Sequence, residues 1–249
     1  PIWFKSLAIG TAPGQINSHQ ATAYYSIAVA VVTVIVALLG PIFGVLADHK
    51  DKKKVLFATA ATLGIFGCIL NGFITGWLLF LIIFVFTKIC YSASLTIYDS
   101  MLNDITSEER MDEVSSYGFA WGYIGSCIPF ILSLAVVLGG GYIGIDMATG
   151  MKVAFVITAA WWVAFTVPIL KNVEQTHYKP REAHALANAV RGIGATAKRI
   201  WRDPSIRNYI IAYFFYIDGV HTIIKMSTSY GTDLGIDSTQ LVLALLVTQ

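Results

Sequence analysis

Lys88 stands in a stretch of chain that should hold no charge. Thirty-three uncharged residues separate it from Lys54. One membrane-length helix and a turn use residues 55–76, so Lys88 falls about 11 residues into the next helix. That is roughly 17 Å along the axis at 1.5 Å per residue. An ammonium near the middle of a bilayer costs at least about 3 kcal/mol unless it faces water or a partner. Asp99 lies 11 residues further on and returns to nearly the same helix face, with Tyr91 and Tyr98 close to it. A polar and aromatic stripe of this kind suits the wall of an aqueous cavity. A second set, Asp218, His221 and Lys225, has spacings of three and four residues and shares one face of another apolar helix. Two readings fit this set: a salt-bridge ladder that locks helix to helix, or a substrate or proton pathway. The cost of intramembrane charge favours the pathway, while Lys225, nearer the outer surface, can snorkel. His221 is a candidate proton carrier by residue type; a hydrogen-bonded packing histidine fits the same residue.

The elements that must position these residues are membrane spans. The chain is 56% hydrophobic and 13% charged, with mean hydropathy +0.66. A soluble domain carries about 25% charged residues. Spanning a bilayer takes roughly 20 apolar residues, and such stretches run at about 20–46, 55–74, 77–101, 115–138, 152–170 and 208–230, with a seventh starting near 239. Asn71-Gly72 to Gly76 and Gly139-Gly140-Gly141 read as tight links. Lys50, Lys52, Lys53 and Lys54 fall in the first link, Arg110 in a later one, and eight basic residues in the polar stretch 171–207. The positive-inside rule places these three links in the cytoplasm, and alternation of the spans agrees. Residues 1–19 are then outside and too polar for a signal peptide. Both ends look cut, which implies an earlier span that starts in the cytoplasm.

Several local patterns carry further expectations. Gly118, Gly122 and Gly125, spaced three or four apart and followed by Pro129, suit close helix packing with a bend. Thr106-Ser107-Glu108-Glu109 reads as a capping box opening a short cytoplasmic helix, with Arg110 available for a latch. In 171–207, Leu186, Val190, Ile193, Ala197, Ile200 and Trp201 share one helical face; Arg191, Lys198, Arg199 and Arg202 share the other. This is an amphipathic helix for the inner membrane surface or the helix ends.

Other chemistry is not encoded. Cys68, Cys90 and Cys127 sit in apolar stretches without disulfide or zinc spacing. His49, His177 and His184 are scattered and suggest no metal site. Phosphate-binding glycine loops, His-Glu-x-x-His and Gly-x-Ser-x-Gly are absent, so no enzyme activity, metal or cofactor is expected. A net charge of +2 does not point to nucleic acid.

Gly44-x-Leu46-Ala47-Asp48-His49-x-Asp51-Lys52-Lys53 resembles the signature between the second and third helices of the major facilitator superfamily. His49 and Asp51 stand where that pattern has Arg and Gly. Three further stretches carry a narrower resemblance: 98–105 (Tyr98 to Ile105), 114–125 (Val114 to Gly125) and 211–224 (Ile211 to Ile224). They are similar to the autophagy-related vacuole-effluxer-like transporters and their bacterial relatives. Members usually have Asn at the position of Ile217 and Gln at that of His221. The resemblance implies an all-α, polytopic helix bundle of which this chain covers about helices two to eight of twelve. It implies a half-bundle over 1–170, a cytoplasmic linker over 171–207 and the start of a second half-bundle over 208–249. It further implies alternating access with Gly44, Asp48, Lys52 and Lys53 as a gating hinge. The expected partners are the bilayer, protons and a small polar solute; eukaryotic members of the family are linked to amino-acid export from the vacuole. A transporter-like receptor or scaffold is the alternative. The expected location is the cell (inner) membrane of a bacterium or the vacuolar membrane of a eukaryote.

Overall fold

The computed structural model describes residues 2–10, 14–180 and 185–248, without the side chains at 185–191, 193, 196, 225, 229, 238, 242 and 246–248. The helices are α1 (Ile2–Ala8), α2 (Ser18–Ala47), α3 (Lys53–Phe73), α4 (Trp77–Ser100), α5 (Leu102–Ile105), α6 (Met111–Gly139), α7 (Met147–Asn172), α8 (Ala185–Arg202), α9 (Pro204–Asp233) and α10 (Ser238–Thr248). Among the described residues no strand forms, only isolated bridges Ile9–Ile16 and His49–Lys179. Five helical stretches are long and apolar enough to cross a membrane: Ser18–Ala47, Lys53–Phe73, Trp77–Ile105, Glu108–Ile143 and Met147–Asn172. The chain is an integral, multi-pass membrane protein. The sixth expected span is a continuous 30-residue helix, α9, but falls outside that set. Asp218, His221 and Lys225 lower its hydropathy.

Helix starts follow local chemistry. Asn17 caps α2 in a capping box: its side chain accepts from the Gln20 amide (2.8 Å), and the Gln20 side chain accepts from the Asn17 amide (3.2 Å). Asp203 accepts from the Ser205 and Ile206 amides ahead of α9, with Pro204 in its first turn. The expected capping box at Thr106 does not form. Ser107 makes no side-chain cap bond, and Glu108–Arg110 is a 3-10 turn that runs directly into α6. Arg110 bonds its own neighbour Glu113 (3.1 Å, exposed) rather than reaching across to another helix. The expected tight links are also shorter: α3 continues through Asn71 and Gly72, and α6 through Gly139.

Packing is layered. α3 lies between α4 and α7, α2 lies on the other side of α4, and α6 lies on α7. Backbones approach where a glycine leaves room. Gly64 takes the Trp162 ring, Gly67 the Thr87 side chain, and Gly72 the Phe155 side chain. Gly118, Gly122 and Gly125 do not act this way among the described residues, since a methyl group there would meet nothing within 4 Å. α8 lies against α2 and α9, and α10 lies against α9 and α6.

Two apolar clusters mark the ends of the bundle. At the lysine-rich basic end, Ala47, Phe57, Ile97 and Met101 are buried together. At the far end, Phe4 and Ala8 of α1 are buried with Ala21, Tyr25, Ala28, Phe80 and Leu81. The segment expected from composition to be polar therefore places Phe4, Lys5 and Ala8 in the core, while Ser6 is exposed. Phe4 is 1% exposed, with its ring stacked near Tyr25 and Phe80.

Candidate transport pathway and its two ends

Lys88 is 11 residues into α4, and its ammonium lies over the Tyr91 ring, 5.2 Å from the centroid. This cation–π contact follows from the three-residue spacing on one helix. Tyr91 is braced in turn: its ring meets Trp162 of α7 edge-on at 5.7 Å and 77°. Trp162 occupies the space left by Gly64 of α3. Three helices thus fix the direction of one ammonium. Tyr98 and Asp99 are exposed further along α4, on the stripe the sequence outlined.

Asp218 and His221 are exposed on α9, 14 and 17 residues past Pro204. The described contacts do not join Asp218 to Lys88, and the side chain of Lys225 lies outside the described residues. His184 and, of the amphipathic pattern in 171–207, the side chains of Leu186, Val190, Arg191 and Ile193 also lie outside them. Lys198, Arg199 and Trp201 are exposed on α8, with Trp201 at 66%. Among the described residues no group of three His, Cys, Asp or Glu side chains forms a metal-binding cluster.

The basic end is densely tied. Lys53, at the start of α3, donates to Asp104 of α5 at 2.6 Å and to the Ser100 carbonyl at 3.2 Å. The two charged side chains are 4% and 0% exposed. The other Asp104 oxygen accepts from the Thr176 amide (3.0 Å) and hydroxyl (3.1 Å) and from the His177 amide (2.9 Å). A buried carboxylate is stable only with this degree of satisfaction. The segment 173–179 continues as a strap across the hinge. Gln175 donates to the Ala47 and His49 carbonyls (3.0 and 3.2 Å), the Lys179 amide to the Asp48 carbonyl (2.7 Å), and the Lys50 amide to the Lys179 carbonyl (3.1 Å). The Lys179 ammonium stands 3.8 Å from Asp48. Sequence reading singled out Asp48, Lys52 and Lys53 but missed Asp104, Thr176 and Lys179, because no spacing rule links residues 51 or more positions apart.

Both departures from the superfamily pattern have structural consequences. Asp51 has φ +62°, in the left-handed region where the pattern has glycine. Aspartate tolerates this better than most residues. His49 is 6% exposed, and its Nδ1 lies 2.9 Å from the Val45 carbonyl, so the ring is packed against the last turn of α2.

Comparison with known proteins fits this architecture. A model of the family described as "Vacuole effluxer Atg22 like" matches residues 9–249. The chain belongs to that family. A relative from Bacillus subtilis (strain 168), named an uncharacterized MFS-type transporter, YxiO, is 43% identical over 253 aligned residues. The match takes in 100% of this chain and 58% of the relative, so the chain spans little more than half that protein's length. No solved structure matches.

Proposed function

We propose that this chain forms part of a secondary transporter that moves a small polar solute, such as an amino acid, by alternating access. The observation that carries the reading is Lys88: an ammonium deep in a membrane helix, held over Tyr91 by a ring braced from α7. Such a group is costly in lipid and useful in a water-filled path. Asp218 and His221 on α9 supply acidic and titratable groups on a second element. In this reading Lys88 takes the solute's carboxylate, Asp218 takes its ammonium, and Asp218 or His221 carries a coupled proton. Family membership and the name of the Bacillus relative support transport; neither name fixes the solute. The bacterial relative supports a cell-membrane location.

The domain division belongs to the same reading. Residues 1–170 form one half-bundle, 171–207 the linker and 208–249 the start of the other half. The open stripe of Gly118, Gly122 and Gly125, with Pro129 beyond it, seats a helix of that other half. The expected gating hinge of Gly44, Asp48, Lys52 and Lys53 moves as one body with the half-bundle against the other half, tied down by the strap.

The test is flux of an amino-acid panel into proteoliposomes holding the full-length protein, with and without a proton gradient. Lys88→Ala and Asp218→Ala should each abolish flux of the transported member while the protein remains monodisperse. Undiminished flux in both variants would overturn the assignment of the site. No saturable flux of any solute would favour a receptor or scaffold.

A further inference from the structure

The Lys5 ammonium donates to Asp233 Oδ1 at 2.9 Å, across 228 positions of sequence. The Thr22 hydroxyl donates to the other oxygen, Oδ2, at 3.4 Å. These contacts tie α1 and α2 of the half-bundle to the last residue of α9. We propose that Lys5, Thr22 and Asp233 form a latch that holds the far end of the bundle closed and parts when that end opens. The proposal rests on the alternating-access reading for its purpose, but not for its geometry.

Three features mark the contact as a latch rather than ordinary packing. The first is asymmetric burial. The Lys5 side chain is 7% exposed, whereas that of Asp233 is 37% exposed. A lysine this buried needs a partner, but Asp233 can regain water by moving away. Opening the far end lets water reach Lys5 as well, so neither charge is stranded in the open state.

The second is the position of Asp233 at the C-terminal end of α9. A carboxylate there faces the negative end of the helix dipole and is disfavoured. The aspartates that cap α7 and α9, Asp146 and Asp203, obey the dipole; Asp233 opposes it and is offset by Lys5.

The third is the mechanical unit behind it. Gly231 leaves room for Leu241, so α9 and α10 touch closely on either side of a short turn. That turn reverses through Gly235 at φ +81°. The Ile236 amide donates to the Gly231 carbonyl at 3.1 Å and closes it. α9 and α10 therefore form one closely packed hairpin, with Asp233 beside its tip, and in this proposal they move as a unit. α1, by contrast, is anchored in the far-end core through Phe4 and Ala8. The latch joins a fixed wedge to a movable hairpin.

The test uses the full-length protein in lipid nanodiscs, with Cys68, Cys90 and Cys127 replaced by Ser. Spin labels go at His19, one turn before Thr22, and at Leu234, next to Asp233; both residues are exposed. Electron–electron distance measurements then count closed and open molecules without any substrate. The unaltered latch should give a dominant short distance. Lys5→Met and Asp233→Asn should each lower the short-to-long ratio roughly five- to tenfold. The exchange Lys5→Asp with Asp233→Lys should restore most of it. Should Lys5→Met fail to fold, Asp233→Asn carries the test alone, because its side chain is the more exposed. An unchanged distribution in the folded variants would overturn the latch, as would an exchange that behaves like the single changes. Latch-dependent distances in a protein without flux would remove the transport reading and leave the latch; flux with unmoved distances would do the reverse.

Discussion

The two ends of the bundle are held by different kinds of ion pair. At the basic end, Lys53 and Asp104 are both sealed from water, and Asp104 receives hydrogen bonds from Thr176 and His177 as well. At the far end, Lys5 is buried but Asp233 is partly open, with Thr22 in support. Burial of both partners makes separation expensive, since each charge would lose its oppositely charged partner in a low-dielectric site. Burial of one partner makes separation possible whenever water can enter. The lesson is that one membrane protein uses the same chemistry for a permanent weld and for a releasable contact. The difference lies in solvent access, not in bond length alone.

The sharpest way to break this comparison is to cut the weld. Asp104→Asn or Lys53→Met should destabilise the folded protein by about 3–5 kcal/mol, read as a large drop in thermal unfolding temperature in detergent. The paired change Lys53→Met with Asp104→Leu should recover part of that loss, because no charge is then left alone. A paired loss equal to the sum of the two single losses would show that the pair is not coupled.

Next in size is the hinge itself. Asp51→Val should cost about 1–2 kcal/mol, because a branched side chain resists positive φ, whereas Asp51→Gly should hold or gain stability. Both changes remove the same side chain, so the contrast isolates the backbone. A matching loss in the two variants would contradict the conformational argument. Smaller again, Lys179→Ala should cost about 0–1 kcal/mol, since its 3.8 Å contact with Asp48 is exposed on both sides. The strap is held by backbone and Gln175, and a large effect would shift weight onto that ion pair.

The smallest expected effect is at the far end. Asp146 caps α7, and hydrogen bonds from the Thr149 hydroxyl and amide hold its carboxyl below the usual carboxylate range. A depressed folded pKa gives stability that is present above the unfolded pKa and lost as pH falls through the folded one. A slight loss of thermal stability on acidification should therefore shrink in Asp146→Ala. An identical acid profile in that variant would remove Asp146 from the account.

The spans, their order and the ionisable stripe on α4 were legible in the sequence because hydropathy and helical period are local properties. The bounds of the five membrane helices lie within seven residues of the expected apolar runs. What escaped was long-range or context-dependent. Lys5 looked like a charge in a polar outer segment, yet Phe4 and Ala8 on either side of it are core. Asp104 lay four residues past the last turn of α4 and gave no sign of its partners on α3 and the strap. The capping box at Thr106 had the right letters, but a 3-10 turn took the place of its first helical turn. The glycines on α6 had packing spacing, while the glycines that do meet a neighbour are Gly64, Gly67 and Gly72 on α3. Spacing names a face; it does not name what covers it.

The comparison of the two ends is tested most directly by two label pairs measured together on the full-length protein. One pair, at Lys52 and Glu174, brackets the weld and strap; the other, at His19 and Leu234, brackets the latch. The account predicts a single distance at the basic end under all conditions. It predicts two populations at the far end that shift toward the long distance in Lys5→Met. A single fixed distance at the far end, with two populations at the basic end, would contradict it.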